Sequence, residues 1–86
     1  MTSEELRAIR KILGLTQSEM AERIGLSLRS YASMESGALD IRETHAKAAL
    51  LTSLEIAVEK GEPMLATPAM RKLALSLANL ITEGHA

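Results

Sequence analysis

The sequence predicts an all-α fold, a compact bundle of five helices, and three observations carry that expectation. Threonine followed three positions later by glutamate occurs at Thr2 with Glu5 and at Thr16 with Glu19. In such a capping box, hydroxyl and carboxylate each accept from an amide that the helix start leaves unpaired. Glycines at 14, 25, 37 and 61 follow runs with helical apolar spacing, and glycine readily takes the left-handed conformation that closes a helix. Between these marks, apolar residues recur at steps of three and four, the period of one helix face.

Taken in order, the first helix runs from about Ser3 to Leu13, with Leu6, Ile9, Ile12 and Leu13 as its apolar stripe. The second follows Thr16 and presents Met20, Ala21 and Ile24 on one face before Gly25 stops it. Gly25, Leu26 and Ser27 then make a three-residue turn, the length that joins two short helices in a helix-turn-helix. Ser27 caps the third helix, Leu28 to Ser36. Asp40 with Glu43 offers a further capping box, which opens a fourth helix near Ile41. That helix extends to about Lys60, with Leu50, Leu51, Leu54, Ala57 and Val58 as its main apolar face. Gly61-Glu62-Pro63 breaks the chain and Thr67-Pro68 restarts it, proline being harmless at a first helical position. A fifth helix follows to about Thr82.

Composition narrows the function classes. Cysteine is absent, so neither disulfides nor thiolate metal sites are available, and a cytoplasmic protein is expected. No apolar run approaches a membrane span, and the acidic start Thr2-Ser3-Glu4-Glu5 is unlike a signal peptide, so no membrane role is expected. His45 and His85 stand apart without a carboxylate set at ligand spacing. No metal, no cofactor and no enzymatic activity are expected, since no glycine-rich phosphate loop or nucleophile–base motif is present either. Tyr31 is the only aromatic residue, too few for stacking single-stranded nucleic acid. Ten basic against eleven acidic residues give a net charge of −1. If the chain binds a polyanion, contacts come from placement, with amides and hydroxyls making much of the phosphate grip.

The stretches LTQSEMAERIG and LSLRSYASMESG, preceded by the amphipathic ELRAIRKILGL, resemble the phage repressor and Cro-type helix-turn-helix domains, the XRE family. The likeness covers roughly residues 3 to 58 and rests on Leu15, Thr16, Gln17, Ala21, Gly25, Ser27, Glu35 and Gly37. It implies a repressor-like bundle that lays its third helix in the major groove of DNA. It also implies that Arg10 reaches Glu35 in a largely buried ion pair. By the resemblance, Leu28, Arg29, Ala32 and Ser33 face base edges. At about 100° per residue these four share one arc of the third helix, while Tyr31, Met34 and Glu35 occupy another. Arg29 suits guanine O6 and N7, and Leu28 and Ala32 suit thymine methyls. The plainer readings are a solvated cation for Arg29 and packing on its own helix start for Leu28.

Gln17 and Ser18 open the second helix, where free amides suit a phosphate, and the family uses the matching glutamine in that way. Ser27, Ser30, Ser36 and Arg42 are the remaining candidate phosphate contacts, although Ser27 is first a helix cap. The loop Ala38-Leu39 lacks the proline the family often carries there, and the fourth helix runs further than usual.

Two segments are expected: residues 1–61 as the DNA-binding domain, and 62–86 as a linker with an amphipathic C-terminal helix. Met70, Leu73, Leu77, Leu80 and Ile81 form a short heptad-like seam on that helix. The seam either packs back on the bundle or pairs with a second copy, and dimerisation is the favoured expectation. The function expected is a sequence-specific regulator of double-stranded DNA, a repressor acting as a homodimer on a two-fold symmetric operator. The alternative is a protein-interaction module, an antitoxin or adaptor whose main ligand is another polypeptide.

Overall fold

The computed structural model describes residues 1–84; His85 lies outside the described residues. Five α-helices follow in order: α1 (Ser3–Leu13), α2 (Gln17–Ile24), α3 (Leu28–Ser36), α4 (Glu43–Lys60) and α5 (Pro68–Glu83). A single 3-10 turn, Pro63–Leu65, lies between the last two, and there is no strand among the described residues. Among them, too, no helix is long and apolar enough to cross a membrane.

Both threonine–glutamate capping boxes form. The Thr2 hydroxyl accepts from the Glu5 amide at 3.1 Å, and the Thr2 amide donates to the Glu5 carboxylate at 3.0 Å. Thr16 and Glu19 repeat the arrangement at 3.1 and 2.9 Å. Hydrogen bonds from the capping threonines hold both carboxyls below their ordinary pKa. The core gathers Leu6 and Leu13 of α1, Met20, Ala21 and Ile24 of α2, Tyr31 and Met34 of α3, and Ala49 and Ile56 of α4. Each helix of the first four thus contributes one face to a shared centre, and that centre sets the orientation of α3.

Three details depart from the sequence reading. Helix α4 begins at Glu43 rather than near Ile41, its N-cap is Arg42, and the Asp40–Glu43 box does not form. Ile41 instead packs against the core just before the cap, an apolar anchor of the kind that fixes the angle at which a chain enters a helix. The buried side of α4 is Ala49, Thr52, Ser53, Ile56 and Ala57, whereas Leu51 is exposed and Val58 is 75% exposed. Small residues there let neighbouring elements approach closely. The two hydroxyls are satisfied within the helix, Thr52 donating to the Ala48 carbonyl and Ser53 to that of Leu50. On α1, Ile12 is 60% exposed and drops out of the expected stripe.

The path into α5 is tightly held. Leu65 packs on the core and Ala66 is buried. The Ser53 hydroxyl accepts from the Thr67 amide at 3.2 Å, and Arg71 donates to the Ala66 carbonyl at 2.7 Å. Past Ala74 every residue of α5 is exposed, and the molecule measures 50 Å along its longest dimension against 24 and 19 Å.

Candidate nucleic-acid interface

The inner side of α3 is anchored by Tyr31, Met34 and Glu35, each at most 2% exposed. A carboxylate this buried is unfavourable unless it is paired and hydrogen-bonded, and Glu35 is both. Arg10 grips it with two parallel bonds, Nε to Oε2 at 2.6 Å and Nη2 to Oε1 at 3.0 Å. Gln17 adds Nε2 to Oε1 at 3.2 Å, and Arg7 donates to the Glu35 main-chain carbonyl at 2.8 Å. The same Arg10 also donates from Nη1 to the Leu15 carbonyl at 3.0 Å, bracing the turn between α1 and α2.

Burial alone would raise the Glu35 pKa, but the bonds from Arg10 and Gln17 and the nearby Tyr31 phenol outweigh it and bring it to about 2. The Arg10 guanidinium is raised in turn, chiefly by its bonds to Glu35. Burial, then the adjacent Glu35 carboxylate, push the Tyr31 hydroxyl well above its usual range; no partner lies within hydrogen-bonding geometry of it. Glu35 therefore ties α1, α2 and α3 into one unit.

The outer side of the helix is open. Leu28 is 50% exposed, Arg29 and Ser36 are exposed, and Ala32 and Ser33 are partly so. Among the described residues no hydrogen bond or ion pair holds the Arg29 guanidinium, which leaves five donors available. The structure thus brings Leu28, Arg29, Ala32 and Ser33 onto one accessible surface.

The candidate phosphate contacts are less uniform. Ser18 is exposed in the first turn of α2, whereas one amide hydrogen of Gln17 is committed to Glu35. Ser27 caps α3 by accepting from the Ser30 amide, and its hydroxyl donates to Ser30 Oγ at 3.1 Å. Ser36 donates to the Ser33 carbonyl at 3.0 Å. In this arrangement, of the three hydroxyls, Ser30 keeps an uncommitted proton. Arg42 is exposed at the start of α4, where no side chain caps the helix.

Sequence reasoning missed Arg7 and the Gln17–Glu35 bond. Arg7 lies three positions before Arg10 and so on the same side of α1, which could have marked it as a second donor toward α3. The bond of Gln17 depends on how α2 meets α3 and left no mark in residue spacing.

A scan against known protein families matches residues 6–50, 45 of the 86 positions, to the helix-turn-helix family. Searches of curated proteins and of solved structures return no match. The matched interval begins in α1, contains α2, the turn and α3, and ends within α4. It therefore includes the buried Arg10–Glu35 anchor as well as the open face of α3. The matched family is one of DNA-binding regulators and not of enzymes. With more than half of its residues matched, and the two-helix unit and turn formed inside that interval, this chain belongs to the XRE-type helix-turn-helix family of DNA-binding regulators.

Proposed function

We propose that the protein is a cytoplasmic transcriptional repressor that acts as a homodimer on a two-fold symmetric operator. The third helices of the two copies enter successive major grooves about 34 Å apart. The observation that carries this reading is the two-sidedness of α3: Tyr31, Met34 and Glu35 are locked inward while Leu28 and Arg29 stand in solvent. Arg29 bonds a guanine edge, Leu28 and Ala32 pack on thymine methyls, and Ser33 completes the reading surface. The second amide hydrogen of Gln17, the start of α2 at Ser18, the Ser30 hydroxyl and Arg42 grip phosphates; Ser27 and Ser36 contribute where their internal bonds can be shared. The stripe of half-buried Met70 and exposed Leu73, Leu77, Leu80 and Ile81 joins the two copies. With the reading helices seated on an operator that overlaps a promoter, the mode of action is steric exclusion.

Selection of bound sequences from a random duplex pool, followed by salt titration on the selected site, tests the proposal. A consensus with two-fold symmetry is expected, with log affinity falling linearly against log salt as counterions leave the phosphates. Absent binding, or affinity flat in salt, would overturn it. The exposed apolar length of α5 and the near-neutral charge favour a second reading, an antitoxin or adaptor that binds a polypeptide, and flat salt dependence would favour that one.

A further inference from the structure

The outer part of α5 carries an apolar surface that nothing among the described residues covers. From Leu73 to Thr82 no residue is charged. Leu73, Leu75, Leu77, Leu80 and Ile81 each keep more than half of their surface in water. The helix is unbroken and its base is held by Ser53 and Arg71, which directs this surface away from the bundle. At that base lies an apolar groove of ≈ 550 Å³ whose lining includes Ile9, Ile12, Leu50, Met64 and Pro68. Leu73, Leu77, Leu80 and Ile81, which share one face, amount with Ile12 and Met64, at about 100 Å² each, to roughly 600 Å² per partner, the lower end of a specific interface.

Charge at the two ends of α5 selects an orientation. Arg71 and Lys72 lie near its start and Glu83 at its end, with no other charged residue in the helix. Lys72 and Glu83 are three turns apart, so they lie on one flank within about 20° of each other. Parallel pairing of two such helices opposes like charges at both ends. Antiparallel pairing brings each Lys72 within about one helical turn of the partner's Glu83 and opposes the helix dipoles.

We propose, as a deepening of the homodimer reading above, that two copies join through antiparallel α5 helices. The outer turn of each, Leu80 and Ile81, seats at the other copy's groove beside Ile12 and Met64. Full overlap of Pro68–Glu83 puts the two-fold axis between Leu75 and Ser76 and sets Met70 opposite the partner's Ile81.

Because the chain has no cysteine, single-cysteine variants report this pairing without background. Met70→Cys and Ile81→Cys proteins, mixed under mild oxidation and resolved by mass, should give mainly the mixed disulfide. Homodisulfides as the main products, a sedimenting dimer that gives no mixed disulfide, or a wild-type monomer at high micromolar concentration would each overturn the proposal. In sedimentation equilibrium, Glu83→Lys and Lys72→Glu should each weaken the dimer by about two- to tenfold, and the two together should restore it. Failure of the double variant to recover would remove the charge pairing on which the orientation rests. Loss of duplex binding with the mixed disulfide intact would count against the operator reading alone; duplex binding without the disulfide would count against this one alone.

Discussion

Gln17, in the first turn of α2, donates a 3.2 Å hydrogen bond to the carboxylate of Glu35 in the last turn of α3. The helix offered to base edges and the helix end offered to phosphate are therefore referenced to the same buried group. Arg10 adds α1 to that reference, so the two helices that would meet DNA share one anchor with the helix that braces them.

The anchor should reveal itself in a double-mutant cycle. Arg10→Ala and Glu35→Ala should each cost about 3–5 kcal/mol, because either change strands a partner in a buried site. The double variant should cost clearly less than the sum in denaturant titration. Additive losses would mean that the two residues act separately. Arg10→Lys keeps the charge but loses the two-pronged geometry and should rescue little.

Acid should loosen the same anchor. Glu35 binds its proton less readily when folded than when unfolded, since its pKa falls from 4.5 to about 2. Its contribution to stability is thus complete above about pH 4.5 and is lost as pH falls toward about 2. Glu5 and Glu19 are lowered as well and act in the same direction. Thermal melts between pH 6 and pH 2 should show Glu35→Gln losing less stability on acidification than the unaltered protein. Parallel curves for the two would refute this assignment.

Arg29 and Gln17 should separate base reading from phosphate grip. On a selected site Arg29→Ala should cost about 1–3 kcal/mol and relax preference at one base pair. Gln17→Ala should weaken binding by a similar factor on every sequence and leave the salt slope unchanged, since a neutral amide releases no counterion. Competition titrations with matched and substituted duplexes measure both. Uniform weakening by Arg29→Ala would reassign that residue to the backbone.

Gly25 should be costly to replace despite the empty space around it. Its φ is +77°, and a methyl group built there meets nothing within 4 Å. Any penalty is therefore backbone strain, about 1–2 kcal/mol for Gly25→Ala. Gly25→Asn should cost less, since asparagine tolerates the left-handed region better. Equal loss for the two variants by chemical denaturation would point to some other cause.

Much of this fold was legible before any coordinates because its signals are local. The boxes at Thr2 and Thr16 and the turn at Gly25 each depend on residues a few positions apart, and all three form as their spacing predicts. The inward side of α3 could be read as well, since its few apolar positions leave one possible face. Helix α4 was harder. It is apolar around most of its circumference, so periodicity could not show that Ala49 and Ser53 would face inward while Leu51 and Val58 faced water. The start of α4 failed for a related reason: the pull of the core on Ile41 outweighed a plausible box at Asp40. Glu35 was nameable through family resemblance, but its bonds to Gln17 and Arg7 depend on how whole helices meet.

The hydroxyl of Ser53 has a reach far beyond its own surroundings. It pins the point from which α5 departs, and the helix beyond that point is about 24 Å long at 1.5 Å per residue. A tilt of about 10° at such a pivot sweeps the far tip through roughly 4 Å, comparable with the width of a side chain. In a two-copy assembly built on that tip, the separation of the paired reading heads, and hence the operator spacing they tolerate, would be tuned by lever action from one serine deep inside each subunit.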